Sequence, residues 1–134
     1  NVCSACHKLG TVAGLAIGPD LATLNDRSAS YLVTHTLDPN RAVVDIYMLY
    51  TAATADGRTL AGILTGESGN SVTFKGLDGV EQVILRSELK SLSTMGRSLM
   101  PDGLEAAIDK QGMADLVAFI SSGTGAAGVP GKTP

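Results

Sequence analysis

Two thiols and one imidazole stand close together near the start of the chain, as Cys3-Ser4-Ala5-Cys6-His7. Positions i, i+3 and i+4 share one face of a helical turn, so both sulfurs and the ring point the same way. This C-x-x-C-H spacing is the attachment signature of c-type haem. Each thiol makes a thioether bond at the vinyl edge of the porphyrin, and His7 reaches the iron from one side. The motif therefore predicts one haem c, held covalently through Cys3 and Cys6. A thioredoxin-like dithiol needs a strand leading into its C-x-x-C, and only Asn1 and Val2 precede Cys3 here. Zinc usually takes four convergent ligands. Beyond the motif only His35 remains as a nitrogen or sulfur candidate, and Cys6 and His7 are sequence neighbours, which rarely serve one tetrahedral ion. With no other cysteine in the chain, a disulfide scaffold is excluded as well.

A second axial ligand is the next requirement, and four methionines and His35 compete for it. Met100 is favoured because Pro101 beside it fixes the local turn and holds the thioether in place. Met113 falls on a helical apolar stripe and reads as core filler. Met48 falls in a strand, and Met95, in the connection toward the Met100 loop, is the second choice. His35 reads as a surface residue of a helix, and an open sixth position stays as a further alternative. His7 needs a partner for its other ring nitrogen, and the carbonyl of Pro19, rigidified by its ring, is the natural candidate. Arg97 and Arg41 lie in regions that could reach the haem propionates, though solvated surface arginines would look the same.

These residues need elements to hold them. Residues 2–9 read as the C-terminal half of a helix closed by Gly10. A Gly-rich loop follows and ends in Gly18-Pro19-Asp20-Leu21. Ser28 can cap a helix over 29–37 that Asp38-Pro39 terminates, and a short helical piece fits 40–45. The period then changes. Residues 47–54, 58–65, 71–75 and 80–86 read as four short strands, separated by Asp56-Gly57, Gly66–Asn70 and Leu77-Asp78-Gly79. Val72/Phe74 and Val83/Leu85 show the alternation of half-buried strands. A short turn over 103–108 leads to Asp109, an N-cap for a last helix over 110–122 with Met113, Leu116, Val117 and Ile120 on its apolar face. The expected architecture is one domain over 1–122, mainly α, with a small antiparallel β-meander inserted over 47–86. Residues 123–134 have the composition of a linker or frayed tail.

The 134 residues fit one domain. Aromatics make up only 4% of the chain against 44% apolar residues. A buried porphyrin would supply the flat apolar bulk that rings normally provide. The net charge of −3 carries no basic surface for nucleic acid or anionic lipid. No apolar run approaches the roughly 20 residues that span a bilayer, so direct membrane insertion is not expected.

In its order of C-S-A-C-H, G-P-D-L and M-P before a last helix, the chain resembles class I cytochrome c. It is more similar still to the haem-binding domain of Planctomycetes and Verrucomicrobia. That likeness covers Gly18–Leu21, Tyr31-Leu32 with Leu37-Asp38-Pro39, the stretch D-G-R-T-L-A-G at 56–62, Ser98–Glu105 and Ala114–Ile120. The resemblance implies a cytochrome c fold, thioethers at Cys3 and Cys6, His7 and Met100 as axial ligands, and the Pro19 carbonyl as partner of His7. It also implies export to the periplasm or beyond, and a redox partner protein or fused dehydrogenase module as electron donor. Where this chain departs from the family, the first helix is short, which leaves its packing against the last helix around Phe119 open. The leading expectation is a single-haem electron carrier, not an enzyme. The rivals are a peroxidase-like haem enzyme or gas sensor with an open sixth position, and a docking module in which the haem is incidental.

Overall fold

The computed structural model describes residues 2–12 and 14–123. Within them the chain forms five strands and two α-helices joined by short 3-10 turns. The strands are β1 (Met48–Thr54), β2 (Thr59–Glu67), β3 (Ser71–Gly76), β4 (Glu81–Leu85) and β5 (Leu89–Ser98). The helices are α1 (Ala29–Leu37) and α2 (Lys110–Ser122). The expected mainly α cytochrome c fold with a four-stranded insertion over 47–86 is therefore corrected: strand and helical content are about equal, and the sheet has a fifth strand. The described residues fall into two compact units, one built from those up to Val33 and from Glu105 onward, the other from Thr34–Leu104.

In the first unit the elements follow local signals. Asp109 accepts the Gly112 N–H at 2.7 Å and caps α2. Gly123, at φ +64°, closes the helix in the left-handed region that glycine adopts without a Cβ penalty. Met113, Leu116 and Val117 are partly buried and Ile120 is buried, as the apolar stripe predicts, while Phe119 is exposed. The last turn is tied down by Ser121 Oγ, which donates to the Arg27 carbonyl at 2.8 Å. The rest of the tail expected over 123–134 lies outside the described residues. The expected helix over 2–9 is a single 3-10 turn, Cys3–Ala5, after which the chain leaves the helical path at Cys6.

α1 keeps its expected bounds and stops before Asp38-Pro39. Beyond it, the helical piece expected over 40–45 is a turn closed by the Arg41 N–H on the Asp38 carbonyl, followed by a 3-10 turn at Asp45–Tyr47.

The sheet of the second unit is antiparallel in the order β4-β3-β2-β1-β5, so the chain returns to lay its last strand beside its first. One face carries the core. Ala52, Val72, Phe74 and Ile84 are buried there, with Tyr50, Leu60, Leu64, Leu89 and Leu92 packed around them. The pairs Val72↔Ile84, Leu64↔Phe74, Ala52↔Leu60 and Ala52↔Leu92 place these side chains opposite one another. In β4 the alternation is the reverse of the expected one. Ile84 is buried, whereas Val83 is 70% exposed and Leu85 is exposed as well. Three consecutive apolar residues leave parity undecided, and pairing with β3 decides it.

Candidate functional site

The motif needs one turn of helix, and one turn is what the chain builds. The Cys6 N–H donates to the Cys3 carbonyl at 3.1 Å, and the His7 N–H donates to the same oxygen at 2.9 Å. The second bond spans four residues, as in an α-helix, and holds Cys3, Cys6 and His7 at helical spacing. Both cysteines are free thiols and partly exposed.

A following helical turn would normally satisfy the remaining carbonyls. Here the loop after the motif folds back and does so. The Leu15 N–H bonds Ser4 O at 3.1 Å, Ile17 and Gly18 both bond Cys6 O at 3.0 and 2.8 Å, and Leu21 bonds Lys8 O at 2.9 Å. Long-range contacts thus replace the expected helix.

This wrapping brings Pro19 to His7. The Pro19 carbonyl oxygen lies 2.8 Å from His7 Nδ1. A carbonyl only accepts, so Nδ1 carries the proton; the neutral ring with this tautomer has its lone pair on Nε2, the form in which imidazole binds a metal. Gly18 sits against the ring. A Cβ there would overlap His7 Cε1 and lie 2.8 Å from Nδ1 and 3.0 Å from Nε2. At Gly14 a Cβ would overlap the His7 carbonyl. Gly14 and Gly18 are therefore space requirements of the histidine and its carbonyl, a role that loop composition alone does not reveal.

Asp20 fastens the loop. Its Oδ1 accepts the Gly10 N–H at 2.8 Å and the Ala22 N–H at 2.9 Å. Those two bonds, Gly10 first, hold its carboxyl below the ordinary carboxylate range, with Lys8 adding a smaller effect that outweighs none of them.

Cys3, Cys6, His7 and Pro19 are brought together in the first unit, while Met100 belongs to the second. It stands two residues past the end of β5, partly buried, and its N–H donates to Ser98 Oγ at 3.0 Å. Met95, the second choice, lies within β5 and is 50% exposed. Met48 opens β1 and Met113 lies in α2. Arg97 Nη2 is engaged by Asp102 at 2.7 Å. Among the described residues no three His, Cys, Asp or Glu side chains converge as ligands of one ion. Thioether attachment asks for no such convergence, since the sulfurs meet the edge of a ring and only the imidazole meets the metal. A scan against protein-family models and a search of curated proteins find no match to this chain.

Proposed function

We propose that this chain is a single-haem c-type electron-carrier domain, with haem c joined to Cys3 and Cys6 and with His7 and Met100 as axial ligands. The observation that carries the reading is the 2.8 Å bond from His7 Nδ1 to the Pro19 carbonyl, beside two free thiols at helical spacing. It fixes the ring orientation and the Nδ1 tautomer, which leaves Nε2 as the nitrogen that would meet iron. When bound, haem c would supply a one-electron Fe(II)/Fe(III) couple, with a potential that methionine ligation raises.

The chain's own part is to hold and to exclude. Cys3 and Cys6 would hold the porphyrin edge through thioether bonds. His7, backed by Gly18 and Pro19, presents its Nε2 lone pair. Met100 would hold the iron through its thioether sulfur, which has no proton to exchange. Such a domain carries out no bond chemistry on a substrate. It relays electrons from a dehydrogenase module or a redox partner, and the need for haem attachment places it in the periplasm or another exported location.

The test is to express the full chain with export and haem attachment, denature it, and ask whether haem stays with the polypeptide. Haem retained in the wild type and lost in the Cys3→Ala/Cys6→Ala variant is expected; no retained haem in the wild type overturns the reading. Oxidised spectra should then show the weak far-red band of ferric iron bound to methionine sulfur, absent in Met100→Ala. A high-spin ferric spectrum without that band would reassign the domain as a haem enzyme or sensor.

A further inference from the structure

The segment bearing Met100 is held by a side chain far away in sequence. Asn40 stands at the third position of the turn that ends α1, where Pro39 is buried and fixes the backbone before it. From there its carboxamide works in two directions. Oδ1 accepts the Ser98 N–H at 2.8 Å, and Nδ2 donates to Asp102 Oδ1 at 2.8 Å. Asp102 Oδ2 in turn takes Arg97 Nη2 at 2.7 Å, and Ser98 Oγ takes the Met100 N–H at 3.0 Å. One amide therefore clamps both sides of Met100, at positions 98 and 102. β5 reaches this point through an irregularity: Tyr50 pairs with Thr94, but Met48 pairs with Ser98, and Gly96 between them has φ +64°. The strand ladder is interrupted just before the methionine, so hydrogen bonds from outside the ladder must set where Met100 goes.

We infer that Asn40 is a positioning residue for Met100, keeping its thioether in the ligating arrangement by clamping Ser98 and Asp102. The inference rests on the proposed function, because it takes Met100 as the sixth ligand. Without the clamp, the fraction of molecules with Met100 detached rises, and an external ligand competes more easily. Two hydrogen bonds are lost on truncation, one of them to a carboxylate. Allowing for partial replacement by water, the detached fraction should rise about tenfold.

The experiment uses the full chain as purified, in the wild type, Asn40→Ala, and the pair Asn40→Asp with Asp102→Asn, which reverses donor and acceptor across the same contact. Imidazole is the competing ligand, followed by loss of the far-red band. Amide hydrogen exchange is read at Ser98, with β2 and β3 as internal standards for folding. Asn40→Ala should bind imidazole about tenfold more tightly and exchange the Ser98 amide about tenfold faster, and the reversed pair should restore both. Unchanged exchange at Ser98 would overturn the clamp itself. Faster exchange with unchanged imidazole affinity would reduce Asn40 to a structural role and overturn the positioning. A wild type that lacks the far-red band would remove Met100 from the iron and the inference with it, while the exchange data would still report whether the clamp exists.

Discussion

Replacing Gly18 by alanine tests the site at its tightest contact. Gly18 does not have a positive φ, so alanine meets no backbone strain there and the effect isolates one methyl group. That methyl would overlap His7 Cε1 and press on both ring nitrogens, 2.8 Å from Nδ1 and 3.0 Å from Nε2. The ring cannot retreat freely, since Pro19 holds Nδ1. Overpacking of this kind costs about 1–3 kcal/mol, and weakening the Nδ1 bond adds about 1 kcal/mol. The unit carrying the motif should therefore lose about 2–4 kcal/mol, a large part of the stability of a small domain. The assay is urea unfolding followed residue by residue by NMR, because the two units need not unfold together. The His7 ring nitrogen shifts report whether Nδ1 keeps its proton and its partner. Gly69→Ala is the control: nothing lies within 4 Å of a Cβ there, so its effect should be neutral or slightly stabilising. A Gly18→Ala protein within about 0.5 kcal/mol of wild type, with unchanged ring shifts, would refute the close packing of Gly18 on the histidine.

Other perturbations address the loop, the sheet and the last helix. Asp20 has a folded pKa below its unfolded value, so the stability it contributes is present above the unfolded value of about 3.9 and is lost as pH falls through the folded one. Asp20→Asn keeps an oxygen for Gly10 and Ala22 but does not titrate; acid unfolding of the first unit should lose part of its pH dependence, and identical profiles would count against the assignment. In the sheet, Val72→Ala, at 0% exposure, should cost about 2 kcal/mol, whereas Val83→Ala on the other face of β4's pairing should cost less than about 0.5 kcal/mol. Equal costs in denaturant unfolding would mean that the β3–β4 register is wrong. Asp109→Ala removes the cap on Gly112 and should destabilise α2 by about 1 kcal/mol, read as faster amide exchange in its first turn.

Much of the frame follows from signals that act over a few residues. Pro39 ends α1 because the residue before proline leaves the helical region, and Asp109 and Gly123 bracket α2 by satisfying or closing helix ends. Gly57 and Gly79 make their hairpins at φ +90° and +76° for equally local reasons. The turn that joins Cys3, Cys6 and His7 is equally local, since the Cys6 and His7 N–H groups both bond the Cys3 carbonyl. The longer helix expected around them does not form, because the loop from Leu15 to Leu21 takes up the carbonyls that a helix would have used.

β5 shows most clearly where local reading stops. Leu89 and Leu92 are three apart, a helical spacing, yet both lie on the core face of a strand. The register makes this possible: Ala53 pairs with Ser91 but Thr54 with Leu89, so Lys90 is an extra residue and the parity shifts across it. A period of two cannot reveal a strand that breaks that period, and only pairing with β1, some forty positions back, creates it. The same holds for the parity of β4, chosen by β3, and for Asn40, whose partners Ser98 and Asp102 are 58 and 62 positions away. By itself the sequence determined which atoms can do chemistry, their spacing on one turn, and where helices and hairpins stop, because these depend on backbone sterics and neighbouring donors. The Pro19 carbonyl named from the sequence is the one that meets His7, but the backbone bonds that carry it there, the buried face of each strand and the hold on Met100 come from tertiary structure, because hydrogen bonds and packing between distant segments exist only once the chain has closed on itself.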